Sequence, residues 1–248
     1  MADEPFVALM RRYCIDYTNR HDLTVCDQIM SAEYSLHMGD HHLEGRDGPY
    51  KEASTKQFVQ FPHLGLVVHD IVTNGDRLAM RFSEHGSSVR HDGAHASWGG
   101  IGIYRWDGSV LTENWVEQDY FSRRTQLSTR VPVSLEPPAI DPWVTAAEPA
   151  SDDTEAVVRR WLHEGAFDAQ LHHRDDGLDT NKPLVEVSTV RVNDLFTAGR
   201  RAAFHARVEG VYGGGLSGFD DAIGTQVRYF LAGIADVDDG AVVARMIS

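Results

Sequence analysis

The sequence predicts an α+β protein built in two units. Three observations carry that reading. Helical periodicity gives way after Leu64 to a run of antiparallel strands, a proline-rich stretch interrupts the chain near its middle, and the segment beyond that stretch repeats the segment before it.

The helical part comes first. Asp3 can cap a helix opening at Pro5, because a carboxylate accepts free backbone N–H groups and proline is tolerated in the first turn. Phe6, Leu9, Met10, Tyr13 and Tyr17 recur at three- and four-residue spacing, which puts them on one face of a helix running to about Asn19. Most of that stripe is core, while the phenols of Tyr13 and Tyr17 can also donate to a ligand. A short helix over 23–30, a strand over 33–37 and a glycine-bearing loop come next. A helix over 49–60 then packs Tyr50, Ala53 and Phe58, and Pro62 ends it.

From Leu64 the period is two. The runs 66–73 and 77–85 flank Asn74-Gly75, and 96–106 and 109–121 flank Asp107-Gly108. Both dipeptides signal hairpins, since the favoured tight turn needs positive φ at its central residues. Residues 128–153 hold five of the nine prolines and read as an extended linker, with Trp143 pinning it to a surface.

Beyond the linker, Ala156–Leu162 matches Ala8–Cys14 at an offset of 148, and Val192–Ala203 matches Val68–Ala79 at 124. The drop from 148 to 124 removes 24 residues, those of the first strand and of the helix around Phe58. Asp239-Gly240 falls on Asp107-Gly108 at an offset of 132, which sets Ser248 on Val116, short of any counterpart to Asp119. The expected division is therefore a domain over 1–127, a linker over 128–153 and a truncated copy over 154–248.

Composition narrows the function. A net charge of −14, spread along the chain, disfavours nucleic acid and anionic membranes as partners. No apolar run nears the ~20 residues of a membrane span, and no signal peptide opens the chain, so the expected location is cytoplasmic. Cys14 and Cys26 read as reduced, partly buried thiols.

Phe61-Pro62, the run VHDIVTNGDRLAMRF (68–82) and GIGIYRWDGSVLTENWVEQD (100–119), with Gln126-Leu127 after it, together resemble the SnoaL-like polyketide cyclases. These lie within the nuclear transport factor 2-like and ketosteroid-isomerase-like superfamily, and the resemblance covers about residues 5–127. It implies a cystatin-like cone, a curved antiparallel sheet over helices with a pocket inside, followed by a degenerate second cone. It also implies chemistry without a cofactor on a small apolar carbonyl compound such as a polyketide, by cyclisation or isomerisation. An epoxide hydrolase or dehydratase, or a non-catalytic binding or scaffold module, are the alternatives the superfamily allows. Members often dimerise, so a homodimer or an intramolecular pseudo-dimer is expected.

In the family the aspartate ending W-x-x-x-D is the general acid/base, here Asp119. Burial at the bottom of an apolar cone would raise its pKa toward the working range for proton abstraction. A hairpin with glycine in the left-handed position puts Arg105 on the face of Trp115 and Asp119, aligned with Ile101, Ile103 and Leu111 as an apolar wall. Arg105 then stands where some family cyclases have a histidine, and either holds an oxyanion or pairs with Glu113 or Asp119. His37 closes the first strand, where relatives place a cavity-facing histidine suited to proton shuttling. The cluster His37, Asp40, His41 and His42 lacks the helical spacing that would impose ligand geometry, so no metal site is expected. Phe58, Phe61, Trp98 and Trp115 are core residues that can also touch a flat ligand.

Overall fold

The computed structural model describes residues 4–165, 184–216 and 218–248, and divides into two units, Met1–Glu148 and Pro149–Ser248. In the first unit, α1 (Pro5–Arg12) is capped by Glu4, whose carboxylate accepts from the Val7 N–H at 2.8 Å; Asp3 lies outside the described residues. The chain continues as a wider π turn over Tyr13–Thr18, closed by the Asn19 N–H on the Cys14 carbonyl at 2.9 Å. Helix α2 (Cys26–Ile29) leads into β1 (Met30–Met38) and β2 (His41–Glu44), and α3 (Lys51–Gln60) comes after them.

Two hairpins complete the sheet: β3 (Gly65–Thr73) with β4 (Arg77–Ser88), and β5 (Ala94–Trp106) with β6 (Leu111–Gln118). The strand order is β2-β1-β6-β5-β4-β3, antiparallel except where β1 runs parallel to β6. Neither turn has positive φ at both of its central residues. Asn74 and Asp107 each accept two backbone N–H groups through their Oδ1 atoms, and Gly75 (φ 93°) and Gly108 (φ 92°) supply the left-handed step. A bulge between Arg105 and Trp106 sets the second register.

That register divides the sheet into two faces. Leu78, Tyr104 and Asn114 pair across β4, β5 and β6, as do Met80, Gly102 and Val116, then Phe82, Gly100 and Gln118. Glu84 pairs with Trp98 on the same face. Helices α1 and α3 cover this inner face, with Phe6, Met10, Tyr17, Met80 and Phe82 in the core. The alternate residues Ile101, Ile103, Arg105, Glu113 and Trp115 occupy the other face. The glycines of the inner face make room for rings: a Cβ on Gly102 would lie 2.6 Å from the Tyr104 hydroxyl, and one on Gly100 would strike Phe82.

Where the second hairpin was expected to run on to Phe121, the strand stops at Gln118 and α4 (Tyr120–Thr129) begins. Asp119 is its N-cap, accepting from the Ser122 N–H at 2.8 Å. Part of the proline-rich stretch belongs to this unit. Arg81 grips Glu136 through two bonds of 2.6 and 2.8 Å, the Ala139 and Glu148 N–H groups bond the carbonyls of Val68 and Thr73, and Trp143 packs on the core.

The second unit holds α5 (Asp152–Glu164) and an antiparallel sheet of β7 (Val185–Ala198), β8 (Arg201–Tyr212), β9 (Gln226–Asp238) and β10 (Ala241–Ile247), in the order β10-β9-β8-β7. Val158, Leu162, Phe204, Leu231 and Met246 form its core. Its last turn is the tight two-residue type, with positive φ at both Asp239 (47°) and Gly240 (79°). The stretch where the 24 residues were expected to be missing falls largely in 166–183, outside the described residues. No helix among the described residues is long and apolar enough to cross a membrane.

Candidate functional site

A cavity of about 330 Å³ opens between the inner face of the first unit's sheet and its helices. The volume is that of a small-molecule site. The strand register orders its walls. Tyr104 and Asn114 stand at one end and Trp98 with Glu84 at the other, six residues along β5, or about 20 Å of strand.

The first end is a cage of phenols. Tyr13 from the π turn meets Tyr50 hydroxyl to hydroxyl at 3.3 Å and packs edge-on to Tyr104, with ring centroids 5.7 Å apart. Tyr17 donates to Ser54 Oγ at 2.8 Å. Burial pushes the pKa of Tyr13, Tyr17, Tyr50 and Tyr104 above the usual phenol value, so all four remain neutral O–H groups at physiological pH. Beside them the Asn114 amide is 1% exposed and its Oδ1 has no hydrogen-bond donor.

The second end is charged. Glu84 is buried on β4, its carboxylate accepting from the Gln57 amide at 2.9 Å. Burial pushes its pKa up to about 7, against the opposing pull of the Arg123 guanidinium and the hydrogen bonds from Gln57 and Trp98. The Trp98 indole N–H also donates to Gln118 Oε1 at 2.8 Å. Arg123, on α4, lies 4.0 Å over the Tyr120 ring and 5.1 Å from that of Trp98. Lys56 and Arg90, both exposed, mark the open end.

Of the residues expected from the sequence, Tyr13, Tyr17, Phe58 and Phe61 line this cavity. Trp98 is fully buried in the core behind the charged end and is not among the lining residues. Arg105 and Trp115 do share a face, as the bulged turn requires, yet that face is the one turned away from the cavity, which Tyr104, Asn114, Val116 and Gln118 line instead. His37 lies there too. It stacks on Trp115 at 3.7 Å and bonds Glu113 at 3.0 Å, and Glu113 also pairs with Arg105 at 3.1 Å. Asp119 is buried at the helix cap and is not among the lining residues. The expected trio of Asp119, Arg105 and His37 is therefore not brought together on one site.

Glu84 was missed, although a signal for it existed. Leu78, Met80, Phe82 and Glu84 alternate along β4, so an acid closes an apolar stripe that faces the core.

Residues 8–127 match the family model described as SnoaL-like polyketide cyclase. This part of the chain is a SnoaL-like domain. The SnoaL-like match spans just under half of the 248 residues. Solved structures similar to the chain include a candidate SnoaL-like polyketide cyclase from Jannaschia sp. CCS1, at 16% identity over 51% of this chain and 93% of that one, TM-score 0.47. TsrD from Streptomyces laurentii is 22% identical over 51% of this chain and 97% of its own, TM-score 0.46. IdmH from Streptomyces antibioticus, a candidate polyketide cyclase, is 22% identical over 49% and 96%, TM-score 0.42. No protein of curated function matches the chain.

Proposed function

We propose that the SnoaL-like domain is an enzyme working without a cofactor by acid/base chemistry, cyclising or isomerising a small carbonyl compound of polyketide type. The supporting observation is Glu84, a cavity carboxyl whose pKa of about 7 lets it exist in both protonation states near neutral pH. As carboxylate it takes the proton next to the ligand carbonyl, and as acid it returns that proton to the rearranged carbon. The neutral phenols of Tyr13 and Tyr17, at the far end, hydrogen-bond oxygens of the ligand remote from the reacting carbon. Asp119, Arg105 and His37 have no direct part in this scheme, since Asp119 caps α4 and the other two share Glu113.

Residues 149–248 are read as a reduced second copy without this chemistry. The β7–β8 hairpin has its bulge at Val192/Asp194, and β3–β4 has one at Val68/Asp70. Counting from those bulges, Val208 and Tyr229 pair where Glu84 and Trp98 pair in the first unit. An apolar residue thus replaces the acid.

The test is turnover of a panel of poly-β-ketone and quinone-type carbonyl compounds, followed by absorbance. Glu84→Gln is expected to abolish turnover with ligand still bound. Undiminished turnover in that variant removes Glu84 from the mechanism, and binding without turnover by the wild type leaves a ligand-binding module of the same fold.

A further inference from the structure

Three cations, Lys56, Arg90 and Arg123, line the open end of the cavity in a chain of net charge −14. Several other basic residues of this unit are matched to acids: Lys51 with Asp27, Arg81 with Glu136, Arg130 with Asp92. Among the described residues, none of the three at the opening has an ion-pair partner within bonding distance. Their neighbours explain why Arg123 nevertheless holds one position. Its guanidinium lies over the Tyr120 ring and close to those of Trp98 and Phe61. The in-plane N–H groups are the ones that bind a carboxylate as a fork.

Glu84 is the single acid among the described residues lining the cavity, and it is buried beneath this opening. The far end, with Tyr13, Tyr17, Tyr50, Tyr104 and Asn114, carries hydrogen-bonding groups and no formal charge. The charges of the cavity are therefore gathered at one end, and three of the four are positive.

We propose that this opening is an anion subsite, and that the cavity takes a carboxylate-bearing aromatic acid, its carboxylate on Arg123 with Lys56 and Arg90 around it and its ring body reaching toward the tyrosines. The inference rests on the reading of the cavity as a ligand pocket and adds the charge of the ligand to it. An exposed lysine and arginine alone would attract anions weakly, because solvent screens them. Arg123 is half-buried, and a partly desolvated cation with no carboxylate in ion-pair distance gains from an anion that enters with a ligand.

The experiment measures binding, by titration calorimetry at pH 6.5 and low salt, of hydroxylated naphthalene and anthracene carboxylic acids, each beside its methyl ester. The acid is expected to bind at least about tenfold more tightly than its ester, as a charge-assisted hydrogen bond requires. In Arg123→Gln the acid-to-ester ratio falls toward one, and Arg123→Lys recovers part of it. Should Arg123→Gln fail to fold, the exposed pair Lys56→Ala/Arg90→Ala carries the test, with a reduced ratio and a shallower salt dependence. Esters that bind as tightly as acids overturn the anion subsite and leave the pocket reading intact. If neither series binds, the pocket reading fails, and this proposal with it.

Discussion

Glu84 and Arg123 line the same cavity without forming an ion pair, and that relationship sets the first prediction. Burial raises the carboxyl pKa from 4.5 to about 7, so between those values the folded chain keeps a proton that the unfolded chain releases. The stabilisation from this proton is complete below pH 4.5 and is lost as the pH rises through about 7. At roughly 1.36 kcal/mol per pKa unit, the loss is on the order of 3 kcal/mol. Glu84→Gln removes the titrating group and keeps the shape. Thermal melts at pH 5 and pH 8 are expected to show the wild type losing stability against the variant over that interval. Parallel curves would mean that Glu84 is charged in the fold throughout.

A second pH dependence concerns the proposed ligand. The groups around Glu84 are Gln57 on α3, Trp98 on β5, Gln118 on β6 and Tyr120 and Arg123 on α4, with Lys56 and Arg90 at the opening. Once Glu84 ionises it competes with a ligand carboxylate for Arg123 and repels it. Affinity for an aromatic acid is therefore expected to fall as the pH rises through about 7, while affinity for its methyl ester is nearly level. Calorimetry at pH 6 and pH 8 reads the difference, and Glu84→Gln should abolish it.

Asp119 tests the division of labour between cap and cavity. Its carboxylate receives the Ser122 N–H at 2.8 Å, and asparagine caps a helix about as well. Asp119→Ala is expected to cost ~1 kcal/mol of stability, and Asp119→Asn less, with ligand affinity retained in both. Loss of turnover in Asp119→Asn with its melting temperature unchanged would return the acid/base role to that residue.

Much of the fold is legible in the sequence because its signals are local. The stripe from Phe6 to Tyr17 and the alternation from Leu66 to Trp106 each fix an element through the face it buries. The Asp107-Gly108 turn is legible in the same way, although the bulge beside it sets the Arg105 register. Which face of that hairpin turns inward is another matter. Ile101 and Ile103 are wholly buried on one face, and Gly100 and Gly102 sit on the other, where Phe82 and Tyr104 need the space. Hydrophobicity alone chooses the isoleucine face as the pocket wall, because an inner position left empty for a neighbouring ring looks polar or neutral in sequence. The same inversion carried Arg105 and Trp115 with it. The attachment of Glu136 and Trp143 to the first unit was hidden for a different reason: proline density marks extended backbone but says nothing of what it packs against.

The inner-face glycines can be tested directly. A Cβ at position 102 would lie 2.6 Å from the Tyr104 hydroxyl and 2.8 Å from two of its ring carbons. The ring must shift, and Tyr13, packed edge-on against it, must move with it. Overpacking of this kind costs about 1–3 kcal/mol. Because Tyr104 lines the cavity, Gly102→Ala is also expected to weaken ligand binding by more than its loss of stability explains. Gly108→Ala is the comparison. It lies at φ 92° in an open turn with nothing close to a new Cβ, so it strains the backbone and leaves the cavity walls in place. Melting temperature and calorimetric affinity, measured on both variants, separate the two effects: both should melt lower, and only Gly102→Ala should bind more weakly. Equal affinities in the two would mean that Tyr104 is not part of the ligand surface.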